Sequence, residues 1–258
     1  MTYAKKQRLD GRTAFITGGG RGIGLAAAEA LLEGGARVMI ADVRADLLVD
    51  AQSALGSRGY QCGTVVLDVR DPAAVARVAA ETNRSFGPVD ILVANAGIAL
   101  PDTPGEDISD EDWLRIYDVN VNGVYWSCRE FAKPMLDRGY GAVVTLGSIS
   151  GMVSNKPQRQ AHYNSAKAAV HHLTKSLAGE WAERGVRANC VAPTYVDTPM
   201  SNTSFVDPER FPTWMDFTPM RRVARPDEIA SAILFLASEA SSAITGTTLL
   251  VDCGYTIW

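Results

Sequence analysis

No run of about eighteen apolar residues occurs in this 258-residue chain, which excludes a membrane-spanning helix of ordinary length. Basic charge is in deficit as well. Lys and Arg number 25 against 29 Asp and Glu, a net charge of −4. That mild acidity argues against nucleic acid or an anionic membrane as a partner. Cysteines number four, Cys62, Cys128, Cys190 and Cys253, far apart and with no C-x-x-C pair. This excludes a disulfide framework and a zinc site, and reduced thiols fit the cytoplasm. Of three histidines, His171 and His172 read as helix-face residues without a metal partner, and His162 reads as pocket wall or neutral packing. Lys5, Lys6, Arg8 and Arg12 are followed by no apolar stretch before Gly18, unlike a cleaved secretory signal.

Apolar residues make up 47% and charged residues 21%, an ordinary globular balance in a chain long enough for a sizeable core. No repeat or linker divides it. Short β-type runs at 12–17, 36–42, 61–68, 89–94, 142–146, 186–191 and 248–251 alternate with helical stretches at 22–33, 45–55, 72–86, 109–135, 161–183 and 228–237. Pro72 suits the first turn of its helix. Runs such as Ile91-Leu-Val-Ala94 are apolar throughout, as strands buried on both faces of a parallel sheet are. The alternation predicts one doubly wound α/β domain over residues 1–258, with ligands beyond the carboxyl ends of the strands.

The residues that follow strands therefore carry the information. After the first comes Thr17-Gly18-Gly19-Gly20-Arg21-Gly22-Ile23-Gly24, opening a helix. Glycine lets the backbone approach a pyrophosphate, and a helix start offers free N–H groups. Asp42 ends the second strand, where a carboxylate can accept from ribose hydroxyls and repel a 2′-phosphate. It favours NAD, although Arg21 and Arg44 pull toward NADP. Asp68, with Val69 after it, ends the third strand and reads equally as an adenine contact or as the N-cap before Pro72.

Tyr163 and Lys167 share a helix face at i and i+4. An ammonium one turn away favours a phenolate, which would bring a tyrosine from its usual pKa of about 10 toward use as a base. Ser148 follows the fifth strand and sets a hydroxyl at the same end of the sheet. Asn120 lies inside the long helix at 109–135. Taken alone, that segment reads it as solvent-facing; with the others it reads as an internal hydrogen-bonding residue.

Together these pieces resemble the short-chain dehydrogenase/reductase family. The matching residues are the glycine loop, Asn95-Ala96-Gly97, Asn120, Ser148, Tyr163…Lys167 and Pro193. The resemblance implies a seven-stranded parallel sheet with helices on both faces and a catalytic set of Asn120, Ser148, Tyr163 and Lys167. It implies a homotetramer, and cofactor contacts that extend to Val196 and Thr198. Pro193-Thr194 departs from the family's usual Pro-Gly. The implied reaction moves a hydride between a secondary alcohol and the cofactor, with Tyr163 exchanging the hydroxyl proton.

Two segments should select the substrate. Residues 150–162 carry Ser150, Asn155, Gln158 and Gln160, neutral groups suited to a polyhydroxylated alcohol or ketone. Residues 195–225 form a lid without a strand pattern, rich in Phe, Trp and Met. Pro157-Gln158, Trp214 and the ending Gly254-Tyr-Thr-Ile-Trp258 are similar to bacterial polyol dehydrogenases of the galactitol type. A reductase acting with NADPH on 3-oxoacyl-carrier-protein thioesters shares the same catalytic set and is the competing expectation.

Overall fold

The computed structural model describes residues 2–201, 205 and 207–258. Its strands are β1 (Thr13–Thr17), β2 (Arg37–Asp42), β3 (Gly63–Val66), β4 (Ile91–Ala94), β5 (Gly141–Leu146), β6 (Val186–Pro193) and β7 (Thr248–Val251). All pair in parallel, in the order β3-β2-β1-β4-β5-β6-β7. The order reverses between β1 and β4, the crevice where an open α/β sheet binds its ligand.

Side-chain alternation along β1 builds two cores. Ile16 points to one face, among Leu31, Val38, Ile40, Ile229 and Ile233. Phe15 points to the other, against Phe131 with ring centroids 4.2 Å apart. Helices α2 (Gly22–Glu33) and α3 (Ala45–Gly56) supply the first layer, with α9 (Pro226–Ala237). Helices α4 (Pro72–Ser85), α6 (Gly123–Arg138) and α7 (Ala161–Trp181) supply the second. A single turn, α1 (Tyr3–Lys6), precedes the sheet.

Three expectations change. The third strand is shorter than 61–68, and Asp71, not Asp68, caps α4: its carboxylate accepts from the Ala73 and Ala74 N–H groups at 2.9 and 3.0 Å. The long helix at 109–135 is two helices. Ser109 caps α5 (Asp110–Tyr117), and a π turn over Asp118–Asn122 leads into α6. The segment expected as a lid, of which residues 202–204 and 206 lie outside the described residues, holds a helix, α8 (Arg210–Phe217). Among the described residues, no helix is long and apolar enough to cross a membrane and no cluster of His, Cys, Asp or Glu is placed to hold a metal.

Candidate active site

A cleft of about 1090 Å³ opens at the carboxyl ends of the strands. Its walls hold Gly18, Arg21, Gly22, Ile23, Gly24 and Asp42 on one side of the switch point, with Asp68 and Val69 beyond. On the other side lie Asn95, Ala96, Gly97, Tyr163, Lys167, Pro193, Val196 and Thr198. Every position the sequence nominates for the cofactor therefore faces one space.

The loop after β1 is shaped by what it cannot carry. Gly18 has φ +63°, and a Cβ at Gly24 would overlap the Gly18 carbonyl oxygen. The Asn95 amide donates to the Thr17 and Gly18 carbonyls at 3.0 and 2.9 Å. The Thr17 hydroxyl in return accepts from the N–H groups of Asn95 and Ala96. The turns after β1 and β4 are thus stapled together. The first turn of α2 receives no side-chain cap, so its N–H groups face the cleft. This bare cradle fits a dinucleotide pyrophosphate.

Asp42 stands at the end of β2 and accepts from the N–H groups of Gly20 (3.2 Å) and Arg44 (3.1 Å). The Arg44 guanidinium pairs with Asp46 instead. Asp68 pairs with Arg70 at 2.7 Å, and that hydrogen bond holds its carboxyl below the ordinary range. Thr194 has no left-handed backbone, so the family's glycine is not demanded there.

Asn120 is fully buried in the π turn, against the solvent-facing reading of its segment. Its Oδ1 accepts from the Ile98 N–H at 2.8 Å, and its Nδ2 donates to the Ile98 carbonyl at 2.9 Å. It does not line the cleft; Gly97 passes between it and Lys167. Tyr163, in the first turn of α7, hydrogen-bonds Ser148, whose Oγ accepts from the Ser150 N–H at 3.1 Å. Burial raises the Tyr163 phenol, and the bond to Ser148 opposes it only in part. Lys167 donates to the Leu146 carbonyl at 2.8 Å and lies 5.7 Å from the Tyr163 ring centre. Burial pushes Lys167 down to about 8. The lowering expected from Lys167 is not seen: burial and Ser148 set the direction of the phenol, and Lys167 is not among its influences.

Of the substrate candidates, Ser148, Ser150, Gln160 and Tyr163 line the cleft, and Asn155 stands behind it. Asn155 Nδ2 donates to the Tyr195 hydroxyl at 3.2 Å, and its Oδ1 accepts from Gln160 at 3.4 Å. Gln158 joins the wall by donating to Tyr195 at 3.1 Å and accepting from Trp214 Nε1 at 2.9 Å. Buried His162 packs outside the cleft. Three features escaped the sequence. Tyr195 organises the amide wall. Asp102 pairs with Arg159 at 2.8 Å and Arg210 at 3.4 Å, tying three segments at the cleft mouth. His171 accepts from the Ser148 N–H at 3.2 Å. Only its spacing of four from Lys167 could have signalled the last.

A doubly wound sheet with this glycine loop and this tyrosine–serine–lysine cluster defines a nicotinamide-dependent oxidoreductase. The chain belongs to the short-chain dehydrogenase/reductase family; the model of the family described as enoyl-(acyl carrier protein) reductase matches residues 18–256. It acts on CH–OH groups, and its fold binds a nicotinamide cofactor. It is 49% identical over 258 residues to the galactitol 2-dehydrogenase of Rhizobium johnstonii, with 100% of both chains covered. It is 47% identical over 259 residues to the L-tagatose-forming galactitol 2-dehydrogenase of Cereibacter sphaeroides, again with full coverage of both. A gluconate 5-dehydrogenase from Burkholderia cenocepacia, solved with NADP and tartrate, superposes with a TM-score of 0.93 at 34% identity and 99% coverage of each chain.

Proposed function

We propose that this protein interconverts a polyol, a sugar alcohol or vicinal diol, and its ketone with NAD as cofactor. One observation carries the reading: the Tyr163–Ser148 hydroxyl pair opens onto a wall of neutral amides and hydroxyls, Ser150, Gln158 and Gln160. Such groups reward a substrate with several hydroxyls and are left unpaired by one without them. Ser148 holds the reacting oxygen. Tyr163 takes the proton from the substrate hydroxyl on oxidation and returns it on reduction. Lys167, one turn along α7 and 5.7 Å from the Tyr163 ring centre, would hold the nicotinamide ribose. Asn120 fixes the Ile98 backbone beneath the site and serves the outward passage of the proton. The bound cofactor accepts or donates the hydride.

Asp42 supports NAD: a carboxylate at the end of β2 would repel a 2′-phosphate, and Arg44 is engaged by Asp46. Residues 195–225 act as the substrate lid, through α8 and the Asp102–Arg210 pair. Free cysteines support a cytoplasmic setting. Exposed Trp113, Leu114 and Tyr125 on α5 and α6 support the homotetramer, which sedimentation measures.

The experiment is NADH and NADPH formation on sugar alcohols and vicinal diols at about pH 9, where proton loss favours oxidation. Turnover with NAD on polyols is expected. Silence on every polyol, with NADPH-dependent reduction of an oxoacyl thioester, would overturn both substrate and cofactor.

A further inference from the structure

We infer that His171 is a positioning residue for Ser148: its Nε2 holds the serine's backbone N–H and thereby fixes where the hydroxyl meets the reacting oxygen. The inference rests on the dehydrogenase reading above.

Tyr163, Lys167, His171 and Thr174 follow one another at spacings of four, four and three on α7. They form a polar seam against β5 and its continuation. Thr174 shares a hydrogen bond of 2.6 Å with Thr145, Lys167 reaches the Leu146 carbonyl, and His171 takes the Ser148 N–H at 3.2 Å. The acceptor for the Ser148 N–H comes from α7 and not from a strand. The ladder to β6 closes at Leu146, and Gly147 makes the last bond, to Val191 at 2.8 Å. Ser148 stands two residues past the end of β5, and its N–H goes to the imidazole.

The chain is cut to fit the ring. A Cβ at Gly147 would meet the His171 ring, and one at Gly151 would come within 2.7 Å of its Cε1. Two glycines thus flank the serine turn and clear the same imidazole. A backbone N–H can only donate, so Nε2 is bare and the ring proton is on Nδ1. The charged or titratable groups about the ring are Lys167, His172 and Lys175 of α7 and Cys190 of β6. Burial, helped by Lys167, pushes His171 down to about 4, so the ring remains an acceptor at neutral pH.

His171→Leu removes the acceptor and His171→Gln can return one through Oε1. The expected result for Leu is a kcat lower by roughly tenfold or more, with cofactor KM unchanged. The acid limb of alcohol oxidation should also move to higher pH, because Tyr163 loses the well-placed Ser148 bond that restrains its upward shift. The Gln variant should recover kcat to within about threefold and restore the limb. Equal losses in Leu and Gln, or wild-type behaviour in both, overturn the inference. A second readout needs neither variant folding nor substrate: ¹⁵N NMR of histidine-labelled wild-type protein. The Nδ1–H tautomer, untitrated between about pH 5 and 8, is expected for His171. A proton on Nε2, or titration in that window, overturns it. A wild-type enzyme inactive on polyols would refute the proposed function while leaving this readout intact.

Discussion

Tyr195 and Trp214 lie face to face, ring centroids 3.6 Å apart and planes 8° from parallel, joining the loop after β6 to α8. Gln158 ties both polar edges, accepting from the indole and donating to the phenol. Helix α8 is thereby fastened to the amide wall. Trp214→Phe should keep the stack and strand the Gln158 oxygen, at a cost of about 1–2 kcal/mol. The expected outcome is a several-fold rise in KM for the alcohol with little change in cofactor KM, read by steady-state kinetics.

Tyr163 is the proton-carrying group of the proposed reaction. Tyr163→Phe should lower kcat by about 10²–10⁴-fold, the span of general acid–base catalysis. NADH should still bind, since the glycine loop and Asp42 are untouched; fluorescence titration checks this. Turnover near the wild-type rate would remove the residue from its role.

Asp42→Ala removes the negative charge at the end of β2 and frees the Gly20 N–H. The ratio of NADPH to NADH use should rise by about tenfold or more, equivalent to ~1.4 kcal/mol. Initial rates with both cofactors measure it.

Burial raises the Tyr163 phenol above its ordinary value, so the proton is held at neutral pH. Reduction uses that proton and oxidation needs it gone. Oxidation rates should climb between about pH 7 and pH 10, while reduction rates stay level across that range, in initial-rate profiles run in both directions.

Glu228 accepts from Arg222 through two bonds of 2.7 Å and from the Arg225 N–H at 2.8 Å, which draws its carboxyl down to about 2. A carboxyl lowered on folding stabilises above its unfolded pKa, and the gain is lost as pH falls from about 4.3 toward 2. Glu228→Gln should therefore reduce Tm at pH 7, and the gap from wild type should close in acid. Thermal melts across that range test it.

Local signals made most of the fold legible. The apolar runs of β1 and β4, the glycine loop and the Tyr163–Lys167 spacing each state their meaning within a few residues. What escaped depends on partners far along the chain. Asn120 turns inward because the backbone of Ile98 offers both a donor and an acceptor. Asn155 leaves the wall because the Tyr195 hydroxyl, forty positions on, takes its amide. Asp68 and Asp71 are both plausible caps by residue type; Asp71, next to Pro72, has the geometry, and Arg70 claims Asp68. The upward push that burial gives the Tyr163 phenol cannot be read from the Tyr163–Lys167 spacing.

The π turn at Asp118–Asn122, closed by the Gly123 N–H on the Asp118 carbonyl, works as a phase shift. One added residue rotates everything downstream by about 100° relative to an unbroken helix. Upstream, α5 keeps its register against α7; downstream, Gly123 meets Val69 so closely that a Cβ would lie 2.7 Å from its Cγ2. A single-residue deletion in the turn would restore uninterrupted winding, and the helix could then satisfy Ile98 or Val69 but not both. The π turn lets two helices joined end to end answer to two neighbours whose demands are out of step.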